Sequence, residues 1–352
     1  MRQFSFRKKR AFVKILKFLI GTLISVFFIY LAFKDILFAE LWQTILDSNW
    51  LWLIPAIAAH ILSYWLRAVR WRYLLSDVKD VKLSNLYSAV MVGYMALNIF
   101  PLRLGEFFRA YVIGKTENIS RTTSFATIVV ERIVDVLTLL LLLIGAIVLN
   151  PHLAEREFLG RTLSSSGTII LVGTLFVLSG LLFPLFAKET AKKIAMFFLS
   201  KFPKDLSEKL IGILRSFWIG IASLQKTEHF IPVIASSLVM WACFIANLYF
   251  TIYTFGIEDK IGELFPATLV IIVVGGISVM IPAGPGSVGT LDAAYKEILI
   301  FLSNGGILPN LALGFALVNH YITQFIPINI IGFYYFWKEK LSFSSIQTEG
   351  DS

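Results

Sequence analysis

Cysteine is almost absent from this chain: one residue, Cys243, stands in 352. An intramolecular disulfide and a cysteine-based metal cluster are excluded. Charge is scarce as well. Asp, Glu, Lys and Arg make up 16% of the residues against 57% hydrophobic, and the mean hydropathy is +0.75. No HExxH or GxSxG pattern occurs, so metalloprotease and ordinary hydrolase readings lose their usual support. The "GKT" at 114–116 is not a phosphate loop, because Arg109 stands where the first glycine is required. This chain therefore carries no ATP-driven pump of its own.

What is present is apolar sequence in long runs. A soluble domain of this size could not hide so much apolar surface, so the chain reads as an all-α polytopic membrane protein. The 31 Phe and 8 Trp suit lipid-facing helices and interfacial belts. The net charge of +9 is no sign of nucleic acid, since the basic residues fall at the ends of apolar runs, as anionic headgroups and the positive-inside rule favour. The stretch "RKKRAFVKILKFLIGTLISVFFIYLAF" starts like a signal peptide. Its apolar part is too long for one and no small-residue cleavage site follows, so a retained helix is expected.

Runs long enough to span occur at about 14–33, 50–66, 122–149, 167–187, 230–255 and 311–337. Two more apolar regions, 84–114 and 264–303, are each interrupted near the middle by Pro and Gly. Charge placement decides their topology. Arg7, Lys8, Lys9 and Arg10 hold the N terminus in the cytoplasm. If 84–100 crossed completely, Lys115 and Arg121 would lie outside; a hairpin turning back at Pro101 keeps them inside. The same logic makes 264–303 a hairpin dipping from the outside and puts the C terminus in the cytoplasm. About six spans plus two re-entrant broken-helix hairpins are expected.

Between the spans, 188–228 alternates apolar and basic residues at helical spacing, as an amphipathic helix on the inner membrane surface or a cytoplasmic helix pair does. The tail 341–352 is polar and reads as disordered. "PLRLGEFFRAY" (101–111) and "PGSVGTLDAAY" (285–295) align without gaps, with Pro, Gly, Ala and Tyr in register. Opposite entry of the two hairpins makes this the layout of an inverted repeat, with units about 50–149 and 230–337 in one domain over 1–340.

Irregular backbone persists at membrane depth only where protein or trapped water satisfies it, and intramembrane charges are costly. Arg103, Glu106 and Arg109 are spaced by three and share a helix face around Pro101 and Gly105. Glu131, Arg132 and Asp135 repeat the device in the next helix, because Val136–Leu149 alone is too short to cross. These charges either clamp the hairpin as ion pairs or line a substrate route. In the outer hairpin, Pro282 and Pro285 stop a helix and Gly284, Gly286 and Gly289 allow close backbone approach. A helix starting near Ser287 would aim free N–H groups at the break, with Asp292 on its second turn; a turn packed for stability is the other reading. Asn319, His320 and Gln324 form a polar patch in the last run, where His320 exchanges protons, binds a polar headgroup or makes an interhelical hydrogen bond. His60 reads as a hydrogen-bonded contact of that kind. Arg67, Arg70, Trp71 and Arg72 read as an interface anchor able to attract an anionic headgroup.

The combination "LRAVRW", "RLGEFFRAYVIGK", "SFATIVVERIVDVLTLL" and "PAGPGSVGTLDAAY" resembles the lysylphosphatidylglycerol synthase transmembrane family of flippase-like proteins, over about 11–340. The resemblance puts Arg103, Gly105, Glu106 and Arg109 on the GE-x-x-R-type element. Glu131, Arg132 and Asp135 fall on the ER-x-x-D element, and Pro285, Gly286 and Gly289 on the PG-x-x-G element. Asp292 stands where the family commonly has Glu, a shorter acid with less reach. Bifunctional members carry a soluble lysyltransferase domain. Only about a dozen polar residues follow the last helix here, so that domain and its activity are not expected. The resemblance implies translocation of a phospholipid or polyprenyl-linked lipid between plasma-membrane leaflets. No cofactor and no nucleic-acid partner are expected, and a separate lipid- or glycan-modifying enzyme is a candidate partner. A membrane-embedded transferase, or a non-catalytic subunit of such an enzyme, is the rival expectation.

Overall fold

The computed structural model of the protein describes residues 21–100, 105–158, 160–163, 227–281 and 283–341, with isolated positions between 165 and 211. Apart from those positions, the expected span 167–187 and most of segment 188–228 lie outside the described residues. So do the basic N-terminal residues, Pro101, Arg103, Pro282 and the tail beyond Leu341.

Helices dominate what is described, with one two-residue strand pair, Glu157–Phe158 against Arg161–Thr162. Helix α1 (Gly21–Phe33) bends by 79° at Lys34–Leu37 into α2 (Phe38–Leu46). Helix α3 (Leu53–Leu75) follows a single 3-10 turn at Trp50–Trp52. Next come α4 (Leu83–Ile99), α5 (Gly105–Glu117) and α6 (Arg121–Leu149). The second half holds α7 (Thr227–Phe255), α8 (Leu264–Met280), α9 (Thr290–Leu302) and α10 (Pro309–Lys338), whose middle, Val318–Phe325, is π-helical. Among the described residues, four stretches are long and apolar enough to cross a membrane: Trp50–Leu75, Arg121–Leu149, Ile231–Phe255 and Pro309–Lys338. The bent α1–α2 pair makes a fifth if counted as one span. Ile54, Leu141, Val148, Ile231 and Ile330 each expose about two-thirds of their surface, which only acyl chains can cover favourably.

The two interrupted regions are pairs of packed helices. Both pairs have a first helix of 17 residues and a second of 13. At 1.5 Å per residue these reach about 25 and 20 Å, short of the roughly 30 Å hydrocarbon core. Their packing explains their composition. Helix α8, "LFPATLVIIVVGGISVM", is apolar on every side because protein surrounds it. Gly105 lies so close to Gly93 that a Cβ there would run into the Gly93 carbonyl, which fixes how tightly α4 and α5 pair.

Two apolar cores result, one around each hairpin. The first gathers α3, α4, α5, the start of α6 (Ile128, Val130) and the end of α10 (Ile328, Phe336). The second gathers α8, α9, the far part of α6 (Leu139, Leu143, Ala146) and the start of α10 (Ala312, Phe315). The long helices α6 and α10 thus run between the cores in opposite senses. Each changes core at a short polar stretch: Glu131–Asp135 in α6, and Asn319–Gln324 in α10.

Candidate functional site

The polar stretch of α6 is the centre of a buried ion cluster. Glu131, fully buried, takes Arg109 through two bonds (2.7 and 3.0 Å), Arg67 at 2.6 Å, Arg132 at 2.8 Å and Arg70 at 3.3 Å. Asp135 takes Arg70 at 2.8 Å, Arg67 at 2.9 Å and Arg132 at 3.2 Å, the last an i,i+3 pair on one helix. Trp71 closes the floor. Its ring lies 3.8 Å from the Arg109 guanidinium and its Nε1 donates to Thr127. Four guanidiniums on two carboxylates leave the cluster positive. Arg132 faces outward from it, with about a quarter of its side chain exposed, a bond to Tyr94 Oη and an electrostatic interaction with the half-buried Glu106.

Here the structure departs from the expected interface anchor. Arg67, Arg70 and Trp71 are buried in protein, at 4%, 0% and 0% exposure, because α3 continues as a helix to Leu75 past the apolar run that ends near residue 66. Only Arg72 is outside, paired with Asp80. Arg109 also pairs across helices with Glu131. The signal for Arg67 and Arg70 was present: two bases spaced three apart complement two acids spaced four apart in α6.

The polar stretch of α10 builds a second, mostly neutral network. Asn319 donates to Asn247 and Thr251 of α7 and accepts from Gln324. His320 places Nδ1 2.7 Å from Asp292 Oδ1 and Nε2 2.9 Å from the Gly286 carbonyl. The other Asp292 oxygen accepts from Tyr321 Oη and from the Gly289 N–H. The widened π turn is what lets consecutive residues Asn319, His320 and Tyr321 all reach partners, as such bulges do at functional sites. This revises the expected anion site. The helix begins at Thr290, not near Ser287, and Asp292 sits in its first turn, where its own carboxylate already occupies the helix N-terminus. Pro285, Gly286 and Ser287 form a separate 3-10 turn. His60 also differs from expectation: it is buried against the rings of Tyr64 and Phe244, and neither ring nitrogen has a hydrogen bond among the described residues.

The two hairpin tips meet. Gly286, at φ +63°, fits its backbone against the Asn98 carbonyl and the Phe325 ring, where a Cβ would sit 2.8 Å from that ring. Gly284 donates to Ser25 Oγ of α1 at 2.8 Å. Between the tips lies a cavity of about 150 Å³, lined by Tyr94, Asn98 and Arg132 on the first side and by Gly284, Ser287 and His320 on the second. The cavity is where both polar stretches come within reach of one molecule. Asp292 is 1% exposed behind His320, so it acts on the cavity through the imidazole. Among the residues singled out from the sequence, the structure brings Glu106, Arg109, Glu131, Arg132 and Asp135 together on one side. It brings Asp292, Asn319, His320 and the Gly284–Gly289 backbone together on the other.

Fold and cavity together define an all-α, multi-pass membrane protein. The chain belongs to the family of the lysylphosphatidylglycerol synthase transmembrane region, whose model matches residues 18–332. Among its relatives is the glycosyltransferase AglD of Haloferax volcanii, 23% identical over 78% of this chain and 47% of that protein. The chain thus spans about half of AglD. UPF0104 membrane proteins match along nearly their whole length. One from Methanocaldococcus jannaschii is 24% identical over 91% of this chain and 94% of its own, and one from Pyrococcus horikoshii is 24% identical over 83% and 89%. No solved structure matches the chain.

Proposed function

We propose that the protein moves a lipid, or the headgroup of a lipid-linked molecule, between the leaflets of the plasma membrane, with both termini in the cytoplasm. In this reading residues 1–340 form one domain of two inverted units, about 50–149 and 230–337. The observation that carries the reading is the cavity between the hairpin tips, set between two apolar cores and bordered by Arg132 and His320. Polar lining at membrane depth is costly and is kept where something polar passes or binds. The headgroup travels along this lining while its acyl chains stay in lipid. Arg132 attracts phosphate, and the carboxylates behind it keep four guanidiniums folded in one place. Nothing in this chain couples the movement to ATP, so a gradient or a downhill substrate drives it.

A second reading, glycosyl transfer to a lipid carrier, draws on the name of one relative, AglD, and on the 47% of it that this chain spans. The test is leaflet exchange of headgroup-labelled lipids by purified protein in liposomes, with anionic, aminoacylated and polyprenyl-phosphate probes. Selective exchange, lost in Arg132→Gln and kept in Arg72→Gln on the exposed surface, is expected. Equal rates for Arg132→Gln and the parent protein would remove the cavity from the pathway. Product formation from a sugar donor, abolished by Glu106→Gln, would favour transfer instead.

A further inference from the structure

A neutral imidazole carries one N–H, yet both ring nitrogens of His320 face oxygen acceptors. Nε2 lies 2.9 Å from the Gly286 carbonyl, which can only accept. Nδ1 lies 2.7 Å from an Asp292 carboxyl oxygen that has no other donor among the described residues. With one proton on the ring, one of these contacts sets lone pair against lone pair. Both become hydrogen bonds only when the pair holds a second proton, as imidazolium with carboxylate or as imidazole with carboxylic acid. Either form is neutral overall, which suits groups 3% and 1% exposed inside a membrane.

We propose that Asp292 and His320 form a proton-binding site of the cavity, whose occupancy holds the tip of the second hairpin shut. This rests on the transport reading for its purpose, not for its chemistry. The proton reaches the ring from the cavity, which His320 lines, and leaves the same way. When it is lost, His320 keeps one N–H. The shared contact to Asp292 retains it, since charge-assisted bonds are the stronger, and the bond to the Gly286 carbonyl breaks. Gly286 is the residue whose left-handed backbone meets Asn98 of the first hairpin. Proton loss therefore frees the point at which the two tips touch. The surrounding titratable groups make contacts of their own. Tyr321 donates to Asp292, and Tyr295 is hydrogen-bonded to Gln324. Lys296, one turn beyond Asp292, is turned away onto the carbonyls of Leu31 and Lys34. Tyr64 and Arg132 face the ring across the cavity, and Arg132 is tied to Glu131 and Asp135.

Two measurements test this on the full chain in lipid. The first is nitrogen NMR of histidine-labelled protein in nanodiscs, with His320 assigned as the signal missing from His320→Gln. Both ring nitrogens protonated at neutral pH, one proton lost in Asp292→Asn, is the expected result. A singly protonated ring beside an ionised Asp292, the latter read from the carboxyl carbon shift of aspartate-labelled protein, overturns the proton site; a singly protonated ring beside a protonated Asp292 still holds the second proton. The second is exchange of headgroup-labelled phosphatidylglycerol in liposomes with a gradient of one pH unit imposed in either direction. A single coupled proton biases the rate by up to about tenfold between the two directions. Measurable exchange with equal rates in both directions overturns the coupling. Absence of exchange for every lipid probe would count against the transport reading, and the nitrogen and carbon spectra would still decide the proton site.

Discussion

The two hairpins are built to one plan and held in place by different chemistry. Each is a 17-residue helix followed by a 13-residue helix, and each is followed by a helix of 29 or 30 residues that changes core at its polar middle. Counted from Arg121 and Pro309, the first residues of α6 and α10, Glu131, Arg132 and Asp135 occupy the same places as Asn319, His320 and Thr323. Where the first half sets permanent charges, the second sets amides, a hydroxyl and an imidazole. Arginine does not give up its proton in a protein, so the first hairpin is clasped by an arrangement that pH leaves unchanged. The second is clasped by groups that exchange a proton. On the proposed proton site, the first half is the fixed wall of the cavity and the second half the wall able to move.

The sharpest way to break that comparison is to neutralise its rigid side. Glu131→Gln leaves four guanidiniums around one carboxylate in a dry interior, a change that costs about 3–5 kcal/mol when one partner of a buried pair is removed. Thermal unfolding in detergent is expected to show severe loss of stability or failure to accumulate folded protein. A Glu131→Gln protein melting like its parent would show that the cluster is no clasp.

A smaller effect is expected from the close helix pairing within the same hairpin. Gly105→Ala pushes a methyl against the Gly93 carbonyl, the Leu97 backbone nitrogen and the Leu97 side chain; the side chain can shift, the two backbone groups cannot. Overpacking of this kind costs about 1–3 kcal/mol, read as a lower melting temperature. An unaltered melt would mean that α4 and α5 are free to separate and that the first hairpin is not the rigid one.

On the second side, Asn319 stands where Glu131 stands on the first, and its removal is expected to be milder. Asn319→Ala takes away bonds to Asn247, Thr251 and Gln324, all neutral groups, at a cost of about 1–2 kcal/mol. Finding Asn319→Ala as damaging as Glu131→Gln would erase the distinction between charged and neutral clasps.

Much of this plan was legible before any coordinates, and what escaped has identifiable causes. Pro and Gly near the middle of two apolar regions marked both hairpins, since irregular backbone at membrane depth persists only where protein or a cavity satisfies it. The spacing of Glu131, Arg132 and Asp135 put them on one interior face. Arg67 and Arg70 were placed at the interface because hydropathy falls where charge begins, although a helix does not end there when buried acids await its bases. The helix start at Thr290 was missed by three residues because Pro285, Gly286 and Ser287 form their own turn, and turn geometry depends on φ values that composition does not record. The π turn of α10 left no sequence signal at all, since the extra residue it accommodates is defined by hydrogen bonds and not by periodicity.

The open ends of the hairpins extend the comparison to groups outside the membrane, where the effect is smallest. At the base of the first hairpin, Glu117 at the end of α5 accepts from Asn85 near the start of α4 and pairs with Lys79 at 2.9 Å. The Asn85 hydrogen bond, and after it Lys79, hold the Glu117 carboxyl below the usual carboxylate range. At the corresponding end of the second hairpin the cap is a cation, Arg156, bonded to the Phe301 carbonyl and to Asn304, a favourable sign of charge for a helix C-terminus. A carboxyl whose folded pKa is depressed contributes stability above its ordinary pKa of 4.5, and that contribution fades as pH falls through the folded value. Because Lys79 is about half exposed, solvent screening limits it to about half a kcal/mol. Glu117→Gln keeps an acceptor for Asn85 and removes only the charge. It should melt slightly below the parent near pH 7, with the gap closing as pH drops below 4.5. A gap that stays constant or widens in acid would show that the first hairpin's base is held by something other than this carboxylate.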